Sequence, residues 1–266
     1  MTSPHPATPH AHTPAVDTPA VDTAAADGPV WAVVLAGGSG SRFGRPKQFV
    51  TVAGHRLVDL ALAAVRDCCD GVVLVLPPGA DWDGAPVDAV VTGGPDRPAS
   101  VRNGLAAVPA HRGVVVVHQA ANPLADAALV ERLVRTVRDG ADAAVPGLRP
   151  GDLVRRTRDG RLDEVVGRDE LVLVQTPAAF RNDVLRRAHA AGATARATAS
   201  GPAGGPAGRA AGGAAGGSAP PPALEDTALV TAIGHDVVVV PGDPRNVHVV
   251  TPHDLDVVAA LLARDR

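Results

Sequence analysis

One stretch of the chain concentrates groups suited to holding and attacking phosphorus. It reads Leu35-Ala36-Gly37-Gly38-Ser39-Gly40-Ser41-Arg42-Phe43-Gly44-Arg45-Pro46-Lys47-Gln48. It closes a continuous apolar run over residues 30–36, of the kind that forms a buried strand. Glycines directly after such a strand let backbone N–H groups curl around an anion. Arg42 can fork onto phosphate oxygens, and Lys47 can act as a point charge on a transferring phosphorus. Lys47 is the only lysine: of the 25 Lys and Arg residues, the other 24 are Arg. In a chain this biased toward Arg, a retained lysine either marks a place where a planar guanidinium will not serve or survives by chance on the surface. Its company in a Gly-rich loop with Arg42 favours function. Two familiar loops are excluded. A P-loop needs Gly-Lys-Ser/Thr, whereas Pro46 precedes Lys47 and Gln48 follows it. A dinucleotide loop needs a third Gly three residues after the second and an acid ending the next strand, whereas Gly44 follows Gly40 and that strand ends Leu76-Pro77-Pro78.

The elements needed to position that loop alternate along the chain. Residues 57–65 have helical spacing, 72–76 read as a strand and 89–92 as a short strand. Residues 100–108 predict a helix and 114–118 a strand. Residues 126–138 predict a helix with Leu129, Val130, Leu133, Val134 and Val137 on one face. A short strand is expected at 143–145. Runs at 153–158 and 161–166 flank Asp159-Gly160, a strong hairpin signal. A strand at 171–174, a helix near 182–190, a helix at 225–233, a strand at 237–240 and a segment at 246–250 follow. The last helix opens at Thr251-Pro252-His253-Asp254, with a capping Thr, a first-turn Pro and acid at the positive end of the dipole. Val-rich strands alternating with helices predict an α/β domain, a mostly parallel sheet covered on both faces. The hairpin, at about 150–168, leaves the sheet as an arm. Sites in such sheets lie beyond the carboxyl ends of the strands, here the loops after Ala36, Thr92, Val117 and Val174.

Composition bounds the rest. The 266 residues, with net charge −3 and 45% hydrophobic content, allow one large domain or two small ones. Five aromatics (Trp31, Phe43, Phe49, Trp82, Phe180) and no Tyr argue against a stacking platform for single-stranded nucleic acid, and mild acidity argues against a phosphate-backbone binder. No run of 18 apolar residues exists to span a membrane. Residues 1–28, with Thr-Pro-Ala-Val-Asp repeated, predict a disordered tail without the pattern of a signal peptide, and its His5, His10 and His12 read as solvated. Residues 191–222, almost all Ala, Gly and Pro, predict a flexible insertion. Setting both aside leaves roughly 200 residues, enough for a single domain over 29–266. Adjacent Cys68 and Cys69 fit a reduced, cytoplasmic compartment. No Ser/His/Asp order or zinc spacing is present. His118 reads as a core histidine. Asp226 is either a metal contact or a helix-start acid. Arg155, Arg156, Arg158 and Arg161 alternate with acids on a solvated or dimer-facing arm.

The Gly-rich loop resembles the signature of nucleotidyltransferases that build nucleotide-diphospho sugars and alcohols. Its ending, Pro46-Lys47-Gln48-Phe49 followed by Val52-Ala53-Gly54, is similar to that of the 2-C-methyl-D-erythritol 4-phosphate cytidylyltransferase family and its polyol-phosphate relatives. The likeness continues in order. Gly93-Gly94-Pro95-Asp96-Arg97-Pro98-Ala99-Ser100-Val101-Arg102-Asn103-Gly104-Leu105 resembles Gly-Gly…Arg…Ser-Val-x-Asn-Gly-Leu. His118-Gln119-Ala120-Ala121-Asn122-Pro123 lies at His-Asp-Ala-Ala-Arg-Pro, Gln175-Thr176-Pro177 matches Gln-Thr-Pro, and Asn246-Val247-His248 with Pro252-His253-Asp254-Leu255 lies at Asn-Ile-Lys…Pro-Glu-Asp-Leu. The resemblance implies a Rossmann-like subunit of the nucleotide-diphospho-sugar transferase type, paired as a homodimer through the arm. It implies that CTP and a polyol phosphate give a CDP-alcohol and pyrophosphate, with Mg²⁺. Arg42 and Lys47 match residues that stabilise the transition state. Ala36, Gly37, Gly38, Gly40 and Ser41 would hold the triphosphate, and Gly94, Arg97 and Ser100 the cytidine, mainly through backbone contacts and the Ser100 hydroxyl. Gln119, Asn122, Arg168, Thr176 and His248 fall on the acceptor side, with Arg168 matching an arginine that reaches the neighbouring subunit's substrate phosphate. No metal ligand is assigned.

The departures fall on that acceptor side. The family's Asp is Gln119, its Arg is Asn122, its Lys is His248, a Thr is Leu224, and a Gln after Thr-Pro is Ala178. Gln119 offers no carboxylate, and Asn122 and His248 remove cationic partners, although His248 can charge below its pKa. Three readings stay open: the methylerythritol phosphate enzyme with compensations elsewhere, a paralogue for another polyol phosphate, and a CTP-binding pseudoenzyme.

Overall fold

The computed structural model describes residues 26–38, 43–44, 46–109, 112–199 and 225–264. Residues 1–25, 39–42, 45, 110–111, 200–224 and 265–266 therefore lie outside the described residues. The first strand, β1 (Val30–Leu35), is followed by a two-stranded ribbon of β2 (Thr51–Val52) and β3 (His55–Arg56), then by helix α1 (Leu57–Arg66). Strands β4 (Gly71–Leu76) and β5 (Ala89–Thr92), helix α2 (Arg97–Ala107), β6 (Val114–Gln119), α3 (Ala127–Arg138) and β7 (Ala143–Leu148) come next. The arm, β8 (Arg155–Arg158) and β9 (Arg161–Val165), turns at Asp159 and Gly160, whose φ values of 51° and 74° suit a primed two-residue turn. Then come β10 (Leu173–Val174), β11 (Ala178–Arg181), α4 (Asn182–Ala199), α5 (Asp226–Ala232), β12 (Val237–Pro241) and α6 (Pro252–Arg264).

The sheet runs β10–β7–β11–β6–β1–β4–β5, with β12 alongside β7. Strands β6, β1, β4 and β5 are mutually parallel, as are β7 and β12, while β10 and β11 run antiparallel. Alternation along β1 splits the core into two faces. Ala32 and Val34 pack with Leu62 of α1 and Leu129 and Leu133 of α3. Val33 packs on the other face with Leu105 of α2, Leu185 of α4 and Leu229 of α5. Each of these fully or nearly buried Leu side chains contributes about 1.5–3 kcal/mol of burial.

Three expectations need correction. The insertion is not flexible from residue 191: α4 continues to Ala199, because Ala is the strongest helix former and Gly192 lets the helix lie close against Leu229 of α5. The tail does not extend to residue 28, because Ala26 is buried in the core and the Gly28 carbonyl accepts from Arg138 Nη2 at 3.1 Å. Strand β11 is absent from the sequence reading. Four residues, Ala-Ala-Phe-Arg, carry no periodic signal, and only pairing of Phe180 with Val115 and with Ala143 makes them a strand. Cys68 and Cys69 are free thiols, as adjacent cysteines imply.

Candidate active site

The parallel strands end together. Leu35 lies in register with Val75 on one side and Gln119 on the other, and Leu76 with Thr92. Beyond these ends is a cavity of about 570 Å³, lined by the loops after β1, β5 and β6 and by His248 and Val250. Three of the four loops expected to carry chemistry thus meet there.

The first loop brings Ala36, Gly37, Gly38 and Lys47 to the cavity wall. Ala36 N donates to Val75 O at 2.8 Å, prolonging the ladder by one residue. Lys47 opens a single 3₁₀ turn over Lys47–Phe49, and buried Gln48 donates from Nε2 to Gly38 O at 3.1 Å. Lys47 Nζ donates to Val249 O at 2.6 Å. The start and end of the loop are thereby tied to each other and to the chain segment before α6. Gly40, Ser41 and Arg42 lie outside the described residues.

The second loop supplies Gly94, Arg97 and Ser100. Asp96 caps α2 by accepting from Ala99 N at 2.8 Å, and that bond holds its carboxyl below the usual carboxylate range. The Ser100 hydroxyl accepts from Gly94 N and donates to Asp96 O, both at 3.0 Å. Its single proton is spent inside the loop, so it shapes the loop and keeps only an acceptor lone pair for a ligand. A side chain at Gly94 would run into Ala99. Arg97 Nη2 pairs with Asp226 at 2.6 Å, and its buried Nε and Nη1 meet no protein partner. Asp226, 1% exposed, also accepts from His189 Nε2 at 3.0 Å. Burial opposes its ionisation, but the His189 hydrogen bond and the Arg97 charge outweigh it and hold the carboxyl low. Asp226 is therefore engaged by an arginine and a histidine, a buried pairing that its position after a Pro/Ala-rich stretch did not reveal.

The residues expected on the acceptor side divide. Gln119 and His248 line the cavity. Asn122 does not: it is buried, and its amide donates to Asn246 Oδ1 at 3.4 Å. Asn246 Nδ2 in turn donates to Thr176 O at 2.7 Å, and the buried Thr176 hydroxyl donates to Val117 O at 3.3 Å. Gln175 Nε2 donates to Asp243 O at 2.8 Å and Asn246 O at 3.1 Å. These amides form a hub that locks the loop after β6 to those before β11 and α6, a role the sequence did not signal. Arg168 is exposed at the foot of the arm and donates to Gly151 O at 3.1 Å, away from the cavity. His118 is fully buried with both ring nitrogens unpartnered, and burial pushes its pKa down to about 3, so it is a neutral core group.

The described side chains do not form a site for Mg²⁺. Asp96 is the only carboxylate they place on the cavity wall, and its oxygens are taken by Ala99 N and Arg196. Among the described residues, no group of three or more His, Cys, Asp or Glu is placed to hold a metal.

Known proteins complete the picture. Residues 30–204 match the family model described as IspD, 2-C-methyl-D-erythritol 4-phosphate cytidylyltransferase. The chain is 36% identical to the protein of that name from Salinibacter ruber, over 86% of this chain and 91% of the relative. It is 38% identical to a bifunctional IspD/IspF enzyme of Anaeromyxobacter dehalogenans, covering 88% of this chain but spanning only 57% of that longer relative. The crystal structure of 2-C-methyl-D-erythritol 4-phosphate cytidylyltransferase from Thermus thermophilus superposes with a TM-score of 0.68 at 30% identity, over 87% of this chain and 98% of that one. Fold, ordered motifs and matched length agree, and the chain belongs to the 2-C-methyl-D-erythritol 4-phosphate cytidylyltransferase family.

Proposed function

We propose that the protein transfers the cytidylyl group of CTP to 2-C-methyl-D-erythritol 4-phosphate and releases pyrophosphate, a step in isoprenoid precursor synthesis. The observation that carries this reading is the placement of the only lysine. Lys47 stands at the cavity wall with Gly37, Gly38 and Gly94, where the sheet's parallel strands end. An anionic oxygen of the acceptor phosphate forms the new bond to the α-phosphorus, and the bond from that phosphorus to the pyrophosphate oxygen breaks. The attacking oxygen carries no proton at neutral pH, so no general base is required, in keeping with a neutral His118. Catalysis then rests on positioning and on positive charge over the phosphoryl oxygens, supplied by Lys47 and, in this reading, Arg42. Gly37 and Gly38 favour the triphosphate, and the loop of Gly94, Arg97 and Ser100 favours the cytidine. Mg²⁺ would ride on the triphosphate itself, and no step here passes through it.

The same reading makes the protein a cytoplasmic homodimer joined through the arm. Leu153, Leu162 and Val165 are more than half exposed there, an apolar surface that suits a second subunit. Free Cys68 and Cys69 suit a reducing compartment. Among the described residues no helix is long and apolar enough to cross a membrane.

Pyrophosphate release with CTP and methylerythritol phosphate tests the activity. Turnover is expected, and its absence in folded protein overturns the reading. A second reading, a different polyol phosphate as acceptor, draws on Gln119 and His248, which line the cavity where the family carries Asp and Lys. Screening polyol phosphates under the same assay separates the two. CTP binding with no turnover on any acceptor would identify a nucleotide-binding pseudoenzyme.

A further inference from the structure

Helices α4 and α5 reach the nucleotide loop from outside the cavity, at two consecutive residues. Arg196 of α4 pairs with Asp96, and Asp226 of α5 pairs with Arg97. The first pair is partly solvent-exposed and, like most such pairs, weak. The second is different in kind. Asp226 is almost wholly buried and uses both carboxylate oxygens, one on Arg97 Nη2 at 2.6 Å and one on His189 Nε2 at 3.0 Å. His189 is 2% exposed and comes from the middle of α4. The Arg97 fork is thus clamped at one corner while Nε and Nη1, both buried, have no protein acceptor. Buried guanidinium nitrogens without partners are costly unless something else satisfies them. Arg97 lines the cavity.

We propose that His189 and Asp226 are positioning residues that hold the Arg97 guanidinium ready for an oxygen of the bound nucleotide. The proposal rests on the cytidylyltransferase reading and extends it to two residues that never touch substrate. An arginine has four side-chain torsions and many rotamers, and a clamp at Nη2 removes that freedom before the ligand arrives. His189 matters because it satisfies the second oxygen of Asp226, a buried carboxylate oxygen to which Arg97 makes no contact, and so helps keep the carboxylate turned toward Arg97.

The test uses the full chain, with CTP as the probe. Calorimetry gives the CTP Kd, and steady-state assays give the KM for each substrate and kcat. Asp226→Asn and His189→Gln are each expected to raise the Kd and KM for CTP about tenfold. The KM for the acceptor and kcat at saturating CTP should change less than about twofold, a split that general loosening of the fold would not produce. In an Arg97→Ala background, Asp226→Asn should cost almost nothing more, because its effect runs through Arg97. Circular dichroism and thermal melting establish that each variant is folded. If Asp226→Asn fails to fold, His189→Gln and its double variant with Arg97→Ala decide. Folded variants that bind CTP like the unsubstituted protein, or effects that add in full, overturn the positioning role alone. An unsubstituted protein that binds no CTP overturns the cytidylyltransferase reading, and this proposal with it.

Discussion

At the level of single side chains, an ammonium and a guanidinium are not interchangeable beside a phosphorus. Lys47 is held by Val249 O at 2.6 Å on a short 3₁₀ turn, a geometry that delivers one compact charge. Lys47→Ala is expected to lower kcat by about 10²–10³-fold, and Lys47→Arg by at least about tenfold, since the planar fork is bulkier and differently aimed. Steady-state kinetics checks both, and calorimetry should show smaller changes in CTP affinity. His118 carries a prediction about acid. Its folded pKa of about 3 lies below the ordinary 6.5, so the unfolded chain takes up the proton first. Stability is therefore full above about pH 6.5 and is lost as pH falls toward 3, at about 1.4 kcal/mol per pH unit for this group. Urea unfolding at pH 6.5 and pH 5 should show a loss of roughly 2 kcal/mol that His118→Leu abolishes. Asp226, whose pKa is lowered, acts in a separate window: its contribution is present above about pH 4 and disappears below it. On the acceptor side, restoring the family's residues at the two cavity positions, Gln119→Asp and His248→Lys, is the informative pair. Asn122→Arg would instead force a long cation into the buried contact with Asn246.

At the level of elements, α2 is held at both ends by residues outside its own span. Asp96 caps its start, and Arg186 of α4 donates from Nη2 to Leu105 O at 2.8 Å and Val108 O at 2.7 Å at its end. Arg186 Nε also donates to Asn182 Oδ1 at 2.7 Å. Arg186→Ala is expected to cost about 2 kcal/mol in urea unfolding, because charged hydrogen bonds are lost and Val108 O loses its arginine partner, while Leu105 O keeps Val108 N. Arg186→Lys should recover only part of this, as one ammonium cannot span three acceptors in that fork. Elements with strong local signals are legible in the sequence: the apolar face of α3, the Val runs of β4 and β6, and the Asp159-Gly160 turn of the arm all lie where periodicity and turn chemistry put them. Strand β11 is not, because its strand character comes from partners in β6 and β7.

At the level of the whole molecule, the arm stands off the domain with every residue of β8 and β9 exposed. If a partner subunit covers it, as proposed, sedimentation should find a dimer. Leu153→Asp with Leu162→Asp should then shift it to monomer, while leaving monomer stability within about 0.5 kcal/mol, as surface substitutions do. A dimer that survives both changes would exclude the arm as the joint. The residues expected on the two sides of the site differ in where the structure places them. Ala36, Gly37, Gly38, Lys47, Gly94, Arg97 and Ser100, expected on the nucleotide side, line one cavity, while Gly40, Ser41 and Arg42 lie outside the described residues. Of the five acceptor-side residues, Gln119 and His248 do so, whereas Asn122 and Thr176 are buried in an amide hub and Arg168 sits on the arm.

The order of strands and helices, the loops at their carboxyl ends and the chemical singularity of Lys47 were determined by the sequence alone. Each is a local property, readable within a few residues: apolar periodicity, a glycine cluster, a lysine where every other strong base is arginine. Which polar side chains face the cavity was decided only by the tertiary structure. Gln119 ends β6 and Asn122 lies three residues on, yet one lines the site and the other turns inward to Asn246, which is 124 residues distant from it in sequence. The same holds for Asp226, whose carboxyl meets Arg97 and His189 only when three helices have packed. A side chain's direction at a loop depends on the partners that satisfy its hydrogen bonds, and those partners arrive from parts of the chain that no local pattern connects.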